Sequence, residues 1–179
     1  MTRKQALPYV SYCLSLSIAL IATVAHAKQD NWNSVYTDLT KDCVTISRAT
    51  NKAEIDFADQ ECKAFGGYQL NIAGGDVRYA PELKYHGENI DLHNPGAFHD
   101  MGSNKVEWVY FRTMDEAGQG SLEWVGLIYR LSVSRPNGTE SDSILYAVRL
   151  DGKNSCAVGI AQTNEQARRL VYNSKLDCQ

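Results

Sequence analysis

Two stretches rich in β-forming residues constrain the fold most: residues 106–112 (VEWVYFR) and 122–133 (LEWVGLIYRLSV), joined by a polar turn around residues 115–120. In the second stretch Val125, Leu127, Tyr129, Leu131 and Val133 recur with a period of two, which fits a strand and not a helix. Trp124, Ile128 and Arg130 take the opposite face, so both sides of this strand are expected to be partly covered. Each stretch carries Glu-Trp-Val, and Trp108 and Trp124 can approach each other across a hairpin. A chain organised around such a hairpin is a β protein.

The flanking sequence extends that pattern. Residues 43–47 alternate and are rich in β-branched side chains, and residues 54–58 alternate again as a returning strand. Gly66-Gly67 opens a strand over residues 68–72, in which Tyr68, Leu70 and Ile72 share one face. Gly74-Gly75 marks a turn, followed by a strand over residues 76–85 in which Pro81 signals an edge or a bulge. Residues 87–103 lack periodicity, contain Asn94-Pro95-Gly96 and are expected to form a loop. A last hairpin runs over residues 144–150 and 156–160 and turns at Asp151-Gly152. Thr163 or Asn164 then caps a helix, with Gln166 completing a capping box; Ala167, Leu170, Val171 and Ser174 lie on its inner face. The expected fold class is mainly β (α+β): an antiparallel sheet, curled or in two layers, with one C-terminal helix.

Residues 1–27 read as a cleavable export signal. Arg3 and Lys4 give a positive start, a mostly apolar run extends from Tyr9 to Val24, and Ala25-His26-Ala27 supplies the small-x-small cleavage pattern. The run falls short of the roughly 20 residues that span hydrocarbon. Cys13 lies at its beginning rather than after it, which argues against lipid attachment. No later segment is apolar enough to span, so residues 28–179 are expected to form one soluble domain, periplasmic or secreted. The 18 Lys and Arg residues, two of them in the leader, stand against 21 Asp and Glu, which leaves the mature chain at −5. Without a basic stripe, nucleic acid is not an expected partner.

Four cysteines remain in the mature chain: Cys43, Cys62, Cys156 and Cys178. An even number in an exported protein points to disulfides, and four cysteines allow three pairings. The local pairs Cys43–Cys62 and Cys156–Cys178 are favoured, each closing a loop worth about 3 kcal/mol in the chain-entropy model. The spacing lacks the close pairs of a zinc site and the C-x-x-C of a redox-active pair.

Residues that could carry chemistry are few. The loop over residues 86–100 holds His86, His93 and His99 with Glu88, Asp91 and Asp100, and imidazole with carboxylate is a ligand set that zinc accepts. A solvated polar loop explains the same residues, since no established metal spacing occurs. There is no G-x-S-x-G or S-x-x-K for nucleophilic catalysis. Carboxylate pairs such as Asp56 with Asp59 or Asp115 with Glu116 read as solvated turns, and Asp76 with Arg78 as a structural pair. Asn137-Gly138-Thr139 reads as a turn. The tyrosine and tryptophan content suits a β core first and an interface second.

Several short motifs together resemble a family of small exported proteobacterial proteins. They are Trp32 through Asp38 (WNSVYTD) with Leu39 and Cys43; Cys62 followed by Gly66-Gly67-Tyr68; Gly75-Asp76-Val77-Arg78; Glu107-Trp108; and Cys156 with the terminal Ala167-Arg168 helix and Cys178. The likeness spans nearly the whole mature domain, with Gly-Asp-Val-Arg standing where Gly-Asp-Leu-Arg is commoner. That family has no assigned activity, so the resemblance implies no catalytic residue. The residues themselves favour a non-enzymatic binding or inhibitor-type module for an envelope or extracellular protein. The exposed Arg135-Pro136-Asn137-Gly138 loop is the segment able to insert into a partner, by analogy in size and fold with small periplasmic lysozyme inhibitors. The alternative is a metal-dependent hydrolase built on the histidine loop, with zinc as its cofactor.

Overall fold

The central hairpin forms as its alternation requires, and other strands complete a sheet on either side of it. The structure, a computed structural model, describes residues 32–51, 57–76, 78–93, 99–114, 118–135, 140–173 and 177–178. In chain order the elements are β1 (Trp32–Asp38), β2 (Cys43–Arg48), β3 (Phe57–Cys62), β4 (Tyr68–Gly75), β5 (Arg78–Tyr85) and β6 (Glu88–Ile90). They continue with β7 (His99–Met114), β8 (Gly120–Ser134), β9 (Ser141–Arg149), β10 (Cys156–Ala161) and α1 (Asn164–Tyr172). One sheet has the order β1-β7-β8-β9-β10 and the other is the meander β2-β3-β4-β5-β6. All pairings between these strands are antiparallel.

The central sheet has two covered faces. Toward the meander, Trp108, Leu127, Tyr129 and Leu131 pack with Leu70, Ile72 and Leu83. Toward α1, Val109, Ile128, Ala147 and Val158 pack with Ala167 and Val171. The result is three layers: meander, central sheet, helix. Each fully buried aliphatic or aromatic side chain contributes roughly 2 kcal/mol. Cys43 and Cys62 face each other in register across β2 and β3 and are bonded, and Cys156 is bonded to Cys178. The expected local pairing is the one present. Among the described residues no helix is long and apolar enough to cross a membrane.

α1 begins as expected. The Gln166 N–H donates to Thr163 Oγ1, and the Gln166 side chain accepts from the Thr163 N–H. Ala167 and Val171 are buried and Leu170 half-buried, while Ser174 lies outside the described residues. Pro81 sits opposite Ile72 on a stretch of β5 that β6 does not pair, so its missing N–H costs no ladder bond there.

Three expectations need correction, and one strand was not expected. Residues 87–103 are not all loop, because β6 pairs with the end of β5 and β7 already begins at His99. Residues 32–38 form a strand against β7; pairing between distant segments leaves no local period to read. The strand expected from residue 76 starts at Arg78, and Asp76 turns with a φ of 52°. Val125 does not share a face with Leu127. Val109 pairs with Gly126 but Tyr110 pairs with Trp124, so Val125 is a bulge. The extra residue turns Val125 toward the helix side and Trp124 toward the meander. Trp124 there meets Trp108 edge-on at 6.4 Å and stacks on Phe65 at 5.0 Å. The strand expected over residues 54–58 lies partly outside the described residues; its described part belongs to β3.

Candidate functional site

A concavity of about 840 Å³ opens between the C-terminal half of α1 and the central sheet. That volume lies in the range of small-ligand and peptide sites. Phe111 of β7, Val125 of β8, Leu150 and Val171 of α1 give it apolar walls. Glu123, Arg149 and Asp151 supply charge, and Tyr172 and Asn173 complete the lining.

Each wall has a local cause. The β8 bulge puts Val125 on the helix side, and its carbonyl accepts from the Leu150 N–H at 3.0 Å, joining two lining segments. Gly126 lets α1 come close: a Cβ there would meet Val171 Cγ2 at 2.5 Å. Phe111 and Tyr172 are tilted rings 5.4 Å apart that close one side. The Arg149 Nη2 lies 3.7 Å from Cys156 Sγ and 3.8 Å from Cys178 Sγ.

Glu107 of β7 fixes the other end of α1. Its residue is buried, and Oε1 accepts from Ser34 Oγ and, at 2.6 Å, from Arg168 Nε; Oε2 accepts from Asn164 Nδ2 at 3.0 Å. The same Arg168 reaches Tyr36 Oη at 3.4 Å. Neither the cleft nor the Glu107 latch was anticipated. The bulge that builds the cleft leaves no mark in the residue pattern. Glu107 was readable in principle, as a carboxylate inside an apolar strand that needs a buried cation nearby.

The three histidines fall in different places. His86 occupies the β5–β6 turn with φ 48°, its ring 4.3 Å from Tyr85 and beside Gly67. His93 follows β6, also with φ 48°; its N–H donates to Asp91 Oδ1 at 2.9 Å, and its Nε2 is 3.4 Å from Asp91 Oδ2. Asp91 and His93, with Glu82 and Lys84, line a separate cavity of about 330 Å³. His99 starts β7, its backbone opposite Val133. Among the described residues no three His, Cys, Asp or Glu side chains are grouped to hold a metal ion.

The loop offered for insertion is clamped at its base. The Arg135 guanidinium pairs with Glu140 and donates twice to Asp142 Oδ1, at 2.9 and 2.6 Å, while its N–H donates to the Glu140 carbonyl. This pairing holds the Asp142 carboxyl below its ordinary range. Residues 136–139 lie outside the described residues, as do Asp56, Asp115 and Glu116. Asp59 lies opposite Ala73 on β4, within a sheet.

The described lining combines apolar walls with the charges of Arg149, Glu123 and Asp151. No family model, no curated protein and no solved structure matches this chain.

Proposed function

We propose that this chain is an exported, non-enzymatic binding module of the inhibitor type, acting in the periplasm or outside the cell on an envelope or extracellular protein. In this reading residues 1–27 are cleaved as a leader, and the mature domain belongs with the small exported proteobacterial proteins that its motifs resemble. Two closed disulfides support an oxidising surrounding. The observation that carries the reading is the cleft beside α1. Its walls come from a capped helix and a bulged strand paired on both sides, so little ordering entropy opposes binding. The partner segment it suits has apolar side chains flanked by both signs of charge.

A photo-crosslinking amino acid at position 172 tests this in cells that make the protein. Tyr172 lines the cleft and is exposed, whereas Gln69 is an exposed residue of the meander that does not line it. A discrete protein adduct from position 172 that is absent from position 69 supports the reading. No adduct at 172, or equal adducts at both, overturns it.

The adjacency of Asp91 and His93 in the smaller cavity favours the alternative, a zinc-dependent hydrolase. That reading requires near-stoichiometric zinc in the purified protein, lost in His86→Ala or His93→Ala. The binding-module reading expects no zinc by elemental analysis.

A further inference from the structure

The two disulfides stand in different chemical surroundings. Cys43 and Cys62 bridge directly opposed positions of β2 and β3, with Cα atoms 4.0 Å apart, and both pack into the apolar layer between the sheets. Cys62 is buried and Cys43 half-buried. Close backbone approach favours opening of that bridge, but an attacking thiolate has poor access to it. A thiolate left there would sit among hydrocarbon, which makes it a poor leaving group. Access and leaving-group chemistry outweigh backbone proximity.

The second bridge reverses both conditions. Cys178 is exposed, while Cys156 is buried at the start of β10. Arg149 Nη2 lies within 4 Å of both sulfurs, at 3.7 and 3.8 Å. Guanidinium stays charged at any pH the fold tolerates, so a thiolate formed on Cys156 is born beside a fixed cation. The fold is also tied together without this bond. Val171 packs over Gly126, Phe111 over Tyr172, and Glu107 holds Arg168 and Asn164.

We propose that Cys156–Cys178 is a thiol–disulfide exchange site, opened by a dithiol that attacks Cys178. The dithiol's first thiolate bonds to Cys178 Sγ, the Cys178–Cys156 bond breaks, and Cys156 leaves as a thiolate next to Arg149. The second thiol loses its proton and attacks its own partner sulfur, releasing Cys178 as a thiolate that is then protonated. Two electrons pass to the protein, and the dithiol leaves as a disulfide. Opening replaces a neutral bridge with an anionic sulfur at the Arg149 edge of the cleft. The site stands whether or not the cleft binds a partner.

The oxidised protein is equilibrated at neutral pH with graded ratios of reduced to oxidised dithiothreitol. It is then alkylated and read cysteine by cysteine by mass spectrometry, with circular dichroism followed in parallel. The expected result is half-reduction of Cys156 and Cys178 at a ratio about tenfold lower than Cys43 and Cys62 require, with the native spectrum intact. Arg149→Met should raise the first ratio about threefold and leave the second unchanged. If that variant does not fold, the order of opening in the wild type decides, together with glutathione trapping, which should label Cys178 and not Cys156. A parallel arm with reduced thioredoxin identifies the donor: faster opening than with equal dithiothreitol assigns a protein dithiol, slower opening a small one. Opening of Cys43–Cys62 first, opening of both bridges together with loss of the native spectrum, or an unchanged ratio in folded Arg149→Met overturns the proposal.

Discussion

Glu107 is a carboxylate at a position where strand alternation would place a hydrophobe, and it is 2% exposed. Such a charge is tolerable only if fully paired, and Ser34, Asn164 and Arg168 supply the partners. Breaking a buried pair from one side costs more than the pair contributes, because the other charge is stranded. Glu107→Ala should therefore lose about 3 kcal/mol of stability, the low end for buried pairs since Arg168 keeps some solvent contact. Urea denaturation at constant m-value checks this; a loss under about 1 kcal/mol would mean that the pair does not latch the helix. Tyr68 plays a comparable part between the meander and the β9–β10 turn. Its hydroxyl accepts from the Gly152 N–H at 2.8 Å, and Ser155 Oγ, 3.0 Å away, donates to the Gly152 carbonyl, so Tyr68 donates to Ser155. Tyr68→Phe should cost about 1 kcal/mol, mostly by leaving the Gly152 N–H without that acceptor. A cost near zero by the same denaturation would mean that water replaces the phenol.

Helix α1 packs tightly on the sheet where Gly126 lies beneath Val171. Gly126→Ala should destabilise by about 1–3 kcal/mol through overpacking, and Val171→Ala in the same chain should recover part of that loss. Additive losses in the double-mutant cycle would show that the two do not touch. At the β8–β9 hairpin, Asp142 titrates below its usual value because Arg135 donates to it and lies close in charge. A depressed folded pKa means that the clamp contributes above about pH 4 and is lost as pH falls through the folded midpoint. An Asp142 carboxyl NMR titration with an ordinary midpoint would contradict the clamp. These elements also mark what could be read from the residues alone. The hairpin and the capping box at Thr163 were legible because each rests on local pattern, whereas the cysteine spacing favoured the pairing present without choosing it among three. β1 was not, since its pairing comes from a distant strand, and β6 was not, since three residues are too few to show a period. The cleft was not, since a single bulged Val125 inverts the alternation on which face assignment depends.

Across the whole molecule, burial sets the alkaline limit. Tyr129, Tyr146 and Tyr68 are pushed above the ordinary phenol range chiefly by desolvation; Tyr146 also feels Asp91, and the bonds Tyr68 makes to Ser155 and Gly152 offset part of its rise. They keep their protons in the folded state while an unfolded chain releases them near pH 10, so stability is unaffected below that value and falls as pH climbs above it. Tyrosinate absorbance should therefore include a late phase, from Tyr68, Tyr129 and Tyr146, that comes only with unfolding. A single early phase would mean that the layer between the sheets admits water. The pairing of β1 with β7 carries a different consequence, in time rather than energy. Ser34 and Glu107 meet across 73 positions of chain, whereas β2 through β6 pair each with the next. As the polypeptide emerges from its N-terminal end, the meander has every neighbour it needs while the earliest strand is still waiting for a surface that does not yet exist. A nascent chain halted before β7 should already protect its β3–β4 amides from exchange while those of β1 remain fully labile.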